Sequence, residues 1–176
     1  LDAADRFRAG RPLYHRTDRI EIYQYPPLYA LGFIPFLWTS PAATVVIHSL
    51  LHVAAYALLY AIWDRIFDHL RVERARQMMA WTLPVWLIFS SFWSDLGYLN
   101  IYVITSLLAT LLISAILEEH LGLSVLWLTL ILQTKPHWAF AAALPLLLGR
   151  YRFFLKRAAL TLVSSGAILG GATPIP

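Results

Sequence analysis

Cysteine is absent from the 176 residues, so the chain can form neither disulfide bonds nor thiolate metal sites. Charge is also scarce, because Asp, Glu, Lys and Arg make up 14% of the residues while 59% are hydrophobic. Between Met78 and Leu148 the charged side chains are Asp95, Glu118, Glu119 and Lys135. A soluble domain needs more charged surface than this. Together with a mean hydropathy of +0.62, this composition predicts an integral membrane protein.

The start of the chain lacks the charged, apolar and small-residue order of a secretory signal peptide. It also lacks an initiator Met, and the chain ends at Pro176 within an apolar run, so we expect a fragment of a larger protein. Lys and Arg number 14 against 10 Asp and Glu, and they cluster at the ends of apolar runs. That distribution favours a role in membrane topology over nucleic-acid binding.

The apolar runs predict an all-α fold, a polytopic transmembrane helix bundle. Residues 1–26 are polar and form an extracytoplasmic juxtamembrane segment, and residues 27–176 form the bundle. Residues 42–63 are long enough to cross about 30 Å of hydrocarbon, whereas residues 27–38 are not and should form a short interfacial helix. The other membrane helices are expected at residues 78–93, 101–117, 121–134, 136–148 and 158–172.

Basic residues predict the orientation, because short loops rich in Lys and Arg stay in the cytoplasm. Residues 150–157 carry four basic side chains and no acid, and residues 64–77 carry four Arg, so both segments are predicted inside. One long helix over residues 121–148 is the alternative, but it would put the two basic segments on opposite sides of the membrane, so we predict two half-length helices that meet at Lys135. Residues 1–25 and 94–100, together with Lys135, share the extracytoplasmic face.

Short motifs in this order resemble the C-type glycosyltransferases, closest to glycosyltransferase family 87, the bacterial polyprenyl-phosphate-mannose-dependent mannosyltransferases. Residues 3–14 and 23–28 are similar to that family's first extracytoplasmic loop. The Gly-Tyr-Leu-Asn of residues 97–100 resembles its Gly-Gln-x-Asn, although Tyr98 stands where Gln is commoner. The Gln-Thr-Lys-Pro of residues 133–136 resembles its helix-ending Lys before a Pro-containing stretch.

The resemblance implies an inverting hexosyltransferase of the cell membrane with a C-type fold and no metal or other cofactor. It implies a polyprenyl-phosphate-sugar donor from which mannose is transferred, and a glycolipid or glycan acceptor on the extracytoplasmic face. Its partners would be these substrates and membrane lipid. The family's catalytic Asp would lie just upstream of Leu1. Asp2 and Asp5 are in-chain candidates, but both also fit the solvated face of an exposed helix that carries Arg6 and Arg8.

Inverting transfer needs a carboxylate to accept the acceptor's proton and a cation to stabilise the departing phosphate. Lys135 is the predicted phosphate partner, with hydrogen bonds from Gln133 and His137. Its alternative role is that of a snorkelling lysine at a helix end. The predicted sugar and acceptor pocket comprises Tyr14, Gln24, Tyr25, Asp95 and Asn100.

Two of these predictions have structural alternatives. Asp95 is at least as well suited to cap the following helix. Tyr25 precedes paired prolines that restrict the backbone where the chain enters the bilayer. A further stripe at helical spacing, His48, His52, Tyr56 and Tyr60, offers two metal ligands but no third, so it predicts a packed helix interface rather than a metal site.

Two other classes of protein remain open at this point. A transporter or channel also places polar residues at helix breaks, but it should contain an internal repeat of broken helices, and none is visible. A non-catalytic membrane subunit would leave Lys135 without an explanation.

Overall fold

The computed structural model describes residues 2–13, 27–88, 90–98, 100–135, 140 and 142–171. Every regular element in this part of the chain is helical, which confirms the predicted all-α fold. The helices in chain order are α1 (Asp2–Arg8), α2 (Pro27–Gly32), a 3₁₀ helix (Ile34–Trp38), α3 (Pro41–His69), α4 (Glu73–Ile88), α5 (Ser90–Gly97), α6 (Tyr102–Leu117), α7 (Leu121–Thr134), α8 (Leu144–Leu147) and α9 (Tyr151–Gly171).

Helix α3 is, within the described residues, the helix that is both long and apolar enough to cross a membrane. Ser40 begins it, because its hydroxyl accepts a hydrogen bond from the backbone N–H of Ala43 at 3.2 Å, and Pro41 occupies the first helical position. The 29 residues give a length of about 43 Å. Helices α6 and α7 are apolar but shorter.

The segment expected as a charged loop at residues 64–77 is mostly helical. Helix α3 continues to His69 and α4 begins at Glu73, so the chain reverses within three residues around Arg71, whose φ is 56°. Arg76 of α4 lies 3.0 Å from a carboxylate oxygen of Asp64 and 2.8 Å from one of Asp68. Because these charges pair between the two helices, the helices can extend through the charged stretch.

Other boundaries also differ from the predicted ones. Residues 78–93, expected as one helix, belong to α4 up to Ile88 and to α5 from Ser90, and α5 continues to Gly97. Residues 27–38 form α2 and the 3₁₀ helix, both too short to span a bilayer. The described part of residues 136–148 contains 3₁₀ turns and the short α8 rather than one helix. Helix α9 begins at Tyr151, so the basic segment expected before residue 158 is helical.

The core lies on both sides of α6. Leu112 and Ile116 of α6 pack with Leu128 and Ile131 of α7, all nearly or fully buried. On the other side, Val103 packs against Ala55 of α3. Because lipid is as apolar as these side chains, close van der Waals packing is what favours such contacts between membrane helices, and the two contacts hold the short apolar helices to α3.

Arg150 links the start of α9 to the end of α6. Arg150, just before α9, donates from Nη1 to the carbonyl oxygens of Ile116 (2.7 Å) and Leu117 (3.2 Å) at the end of α6. Its Nε also lies 3.4 Å from Glu119 in the α6–α7 turn. Helices α7 and α9 therefore start at the same end of the bundle. We call it the Arg150 end (Asp68, Glu118, Glu119, Arg150), where Asp68 and Glu118 line the same cavity. We call the opposite one the Lys135 end (His52, Asp95, Tyr102, Lys135).

Candidate functional site

Asp95 joins three helices at the Lys135 end. Its carboxylate accepts hydrogen bonds from the backbone N–H groups of Tyr102 (3.4 Å) and Val103 (3.1 Å) in the first turn of α6. Its Oδ2 also lies 2.7 Å from Nε2 of His52 on α3. The first N–H groups of a helix have no partner within the helix, and negative charge there is favourable. The geometry is therefore that of the helix cap considered as the alternative for Asp95.

Two of the three histidines of α3, His48 and His52, are inside the bundle. His52 is fully buried, and its ring stacks on that of His48 with centroids 4.7 Å apart. Tyr56, one turn later, packs against the contact between α3 and α6. The stripe thus lies in a helix interface. In the described part of the chain, no three His, Asp or Glu side chains are arranged to hold a metal ion.

Lys135 lies where α7 ends. Its backbone N–H donates to the carbonyl of Ile131 at 2.8 Å, and 6% of the surface of Lys135 is exposed. The ammonium nitrogen lies 3.3 Å from the centroid of the Tyr102 ring, a cation–π contact. A cation is also favourable at the C-terminus of a helix. The end of α7 and the start of α6 therefore meet at this ammonium group.

Lys135 and Asp95 are brought together through one residue, Tyr102. Its ring contacts the lysine and its backbone N–H contacts the carboxylate. Along α3, His52 lies about 16 Å from Pro41 at about 1.5 Å per residue, so the pair it forms with Asp95 is well inside the length of α3. The Lys135 end is thus a polar cluster within the apolar bundle, in which Lys135, Asp95 and His52 are buried and Tyr102 is 45% exposed.

Gln133 is also buried, with 3% of its surface exposed. Among the described residues, its side-chain oxygen has no hydrogen-bond partner. A buried acceptor without a partner is costly, so it is suited to receive a donor from a ligand. Asn100 is half-buried in the break between α5 and α6, and its backbone N–H donates to the carbonyl of Asp95 at 2.9 Å.

Four predicted site residues lie outside the described part of the chain: Tyr14, Gln24, Tyr25 and His137. The two in-chain carboxylate candidates are described, and both form ion pairs. Asp2 lies 3.0 Å from Arg6, and Asp5 lies 3.1 Å from Arg8 and also contacts Arg11. These ion pairs are partly or largely exposed, as on the solvated face of a helix.

The family model of glycosyltransferase family 87 matches residues 23–175. The chain belongs to glycosyltransferase family 87. The suspected family is therefore confirmed, and the match favours a membrane glycosyltransferase over a transporter or a non-catalytic subunit. No curated protein and no solved structure matches the chain.

In this family 87 chain, the sequence motifs did not reveal Tyr102 or the pairing of His52 with Asp95. Both depend on contacts between distant residues, and a Tyr at the start of an apolar helix carries no signal of its own. Arg157 was also missed, because it was counted with the exposed basic cluster.

Arg157 is fully buried, and it donates from Nη2 to the carbonyl of Ala142. A sequence signal for its burial does exist. Arg157, Thr161 and Ser164 recur at the spacing of one helix face, and Ser164 hydrogen-bonds Thr129 of α7 at 2.9 Å. Ser164 thus contacts α7, and Arg157 contacts the 3₁₀ turn before α8.

Proposed function

We propose that this family 87 glycosyltransferase moves a hexose, mannose by resemblance, from a polyprenyl-phosphate-sugar donor to a glycolipid or glycan acceptor. The reaction would take place at the Lys135 end, on the extracytoplasmic side of a multi-pass protein of the cell membrane. The observation that carries the proposal is the burial of Lys135 at the end of α7, beside the first turn of α6.

The donor's phosphate is the proposed partner of Lys135. An ammonium group within a membrane costs on the order of 3 kcal/mol on insertion scales, so its place needs a compensating interaction. The Tyr102 ring supplies one through its quadrupole. An ammonium group carries a full charge and three N–H donors, so it can bind a phosphate while its carbon stem and one face contact the ring. A phosphate that leaves the sugar gains charge, and a fixed cation stabilises that change.

The remaining polar groups are assigned by chemistry. Gln133 has a buried side-chain oxygen suited to a hydroxyl or other donor of the substrate, and His137 and Asn100 are proposed to line the same site. Tyr14, Gln24 and Tyr25 are proposed for the sugar and acceptor. We assign Asp95 the capping role rather than a contact with the acceptor, because three donors already engage its carboxylate.

The inverting step also needs a carboxylate base. In our proposal the acceptor hydroxyl attacks the anomeric carbon, its proton passes to the carboxylate, and the bond from that carbon to the phosphate oxygen breaks. The family resemblance assigns the base to an Asp upstream of Leu1. Asp2 and Asp5 form ion pairs with arginines, which favours a place on the solvated face of the helix over the role of catalytic base.

Donor kinetics of the full-length enzyme test the site. With polyprenyl-phosphate-mannose as donor, Lys135→Ala should raise KM at least about tenfold and lower kcat, because a charge-assisted contact of roughly 1.5–3 kcal/mol is lost. Lys135→Arg should retain more activity than Lys135→Gln, since only Arg keeps the charge. A nucleotide-linked mannose should not replace the lipid donor.

The matched control is Lys156→Ala, which removes an exposed lysine of α9. It should leave both constants near wild type. If the Lys135→Ala enzyme is inserted and folded but transfers sugar at the wild-type rate at subsaturating donor, Lys135 is a topological anchor and the phosphate assignment is wrong.

A further inference from the structure

Tyr102 is the residue through which the buried cluster at the Lys135 end is assembled. It is the first residue of α6, and its side chain and its backbone have different partners. The ring lies beneath the ammonium nitrogen of Lys135, 3.3 Å from it, and the backbone N–H donates to Asp95 at 3.4 Å. The ring's position is therefore tied to whatever holds the first turn of α6.

That first turn is held by Asp95, which in turn contacts α3. The carboxylate accepts from the N–H of Val103 at 3.1 Å and lies 2.7 Å from Nε2 of the fully buried His52. First turns of helices fray when their N–H groups have no partner. A capped first turn with a buried anchor on a neighbouring helix keeps the Tyr102 backbone in one place.

A fixed ring restricts the lysine in turn. A lysine side chain has a flexible four-carbon stem and loses much conformational entropy when a ligand orders it. At 6% exposure over an aromatic face, the Lys135 ammonium is already ordered before a ligand arrives. Ordering of a binding group in advance lowers the cost of binding and so strengthens it.

We propose that Tyr102 is a positioning residue for the donor phosphate, which it serves by holding the Lys135 ammonium on its ring, with the His52–Asp95 pair fixing the ring through the first turn of α6. This inference rests on the proposed function, in which Lys135 binds the phosphate. The ring face is the part that acts, so the tyrosine hydroxyl should be dispensable.

Donor kinetics of Tyr102 variants of the full-length enzyme test the inference, with polyprenyl-phosphate-mannose as the probe. Tyr102→Leu should raise the donor KM about fivefold while kcat stays within about twofold, because saturating donor can still order the lysine. The separate variant Tyr102→Phe keeps the ring, so its donor KM should stay near that of the wild type. A merely structural role would lower the amount of active enzyme and leave KM unchanged.

The double variant separates coupling from an independent effect. In a Lys135→Ala background, Tyr102→Leu should add no further increase in KM, because the group it positions is gone. Tyr151→Leu is the matched control, since it also changes the exposed first residue of a helix, α9, but at the Arg150 end. It should leave the donor KM unchanged. Tyr102→Met, another ringless variant, replaces Tyr102→Leu if that one does not fold.

The outcomes distinguish the two proposals. An unchanged KM in Tyr102→Leu, beside a raised KM in Lys135→Ala, overturns the role of Tyr102 and leaves the phosphate site standing. An equal rise in KM from Tyr102→Leu with and without Lys135 also overturns it, because the ring would then act independently of the lysine. A wild-type KM in Lys135→Ala overturns the phosphate site itself.

Discussion

The two ends of the bundle hold their charges in opposite ways. At the Lys135 end, Lys135, Asp95 and His52 are at most 6% exposed. His52 contacts Asp95 directly, and Tyr102 contacts both Asp95 and Lys135. At the Arg150 end, the side chains of Glu119 and Asp68 are each 65% exposed. Exposed charges cost little and anchor a helix at the membrane surface, whereas buried ones are costly and need a specific arrangement. The comparison therefore favours the Lys135 end as the functional one.

The largest expected difference between the ends is their side of the membrane. The chain has no cysteine, so single cysteines can be introduced without background from these residues. In intact cells that make the full-length protein, an impermeant maleimide should label Ala9→Cys and spare Arg152→Cys, both at exposed positions. Arg152→Cys should react once the cells are permeabilised. Labelling of Arg152→Cys alone in intact cells would invert the orientation and move the site to the cytoplasm.

The next effect is on stability. Asp95→Asn should lower the free energy of unfolding by on the order of 3 kcal/mol, because it breaks a buried pair and weakens the cap of α6. Asp68→Asn, which removes an exposed charge beside Arg76, should have little effect, since exposed ion pairs contribute little. Unfolding in mixed micelles measures both. Equal losses would mean that burial does not separate the two ends.

The smallest expected effect comes from removing the Arg150 contacts that hold the start of α9 to the end of α6. Arg150→Ala should destabilise the protein by about 1 kcal/mol, because the carbonyls of Ile116 and Leu117 lose a donor. The control is Arg152→Ala, at an exposed position two residues later, with an expected change within about 0.5 kcal/mol. The same unfolding assay compares them. A larger loss from Arg152→Ala would contradict the anchoring role given to Arg150.

Much of the fold could be predicted from local sequence. The bounds of α6 and α7 follow from apolar runs that end at polar residues. Ser40 and Pro41 are residue types typical of a helix start, and α3 begins there. Where charge was involved, prediction was poorer. Asp64 and Arg76 looked like parts of a solvated loop, but they pair between two helices that extend through it.

The candidate site could be predicted only in part. Lys135 stood out because a lone cation in an apolar stretch is costly wherever it lies. The partner of Asp95, His52, is 43 residues away, and no local pattern indicates that these two meet. Arg157 shows the same limit, since its neighbours in the sequence are basic and exposed while its own side chain is buried.

Composition and runs of adjacent residues were enough to predict a membrane environment, the helical class and the isolated polar residues that the membrane makes costly. Which of those residues meet depends on the tertiary structure. The Tyr102 ring lies on Lys135 because Asp95 and His52 anchor the first turn of α6, and that anchor depends on the packing of α3 against α6. Contacts between distant segments arise from the burial of whole helix faces, which local sequence does not specify.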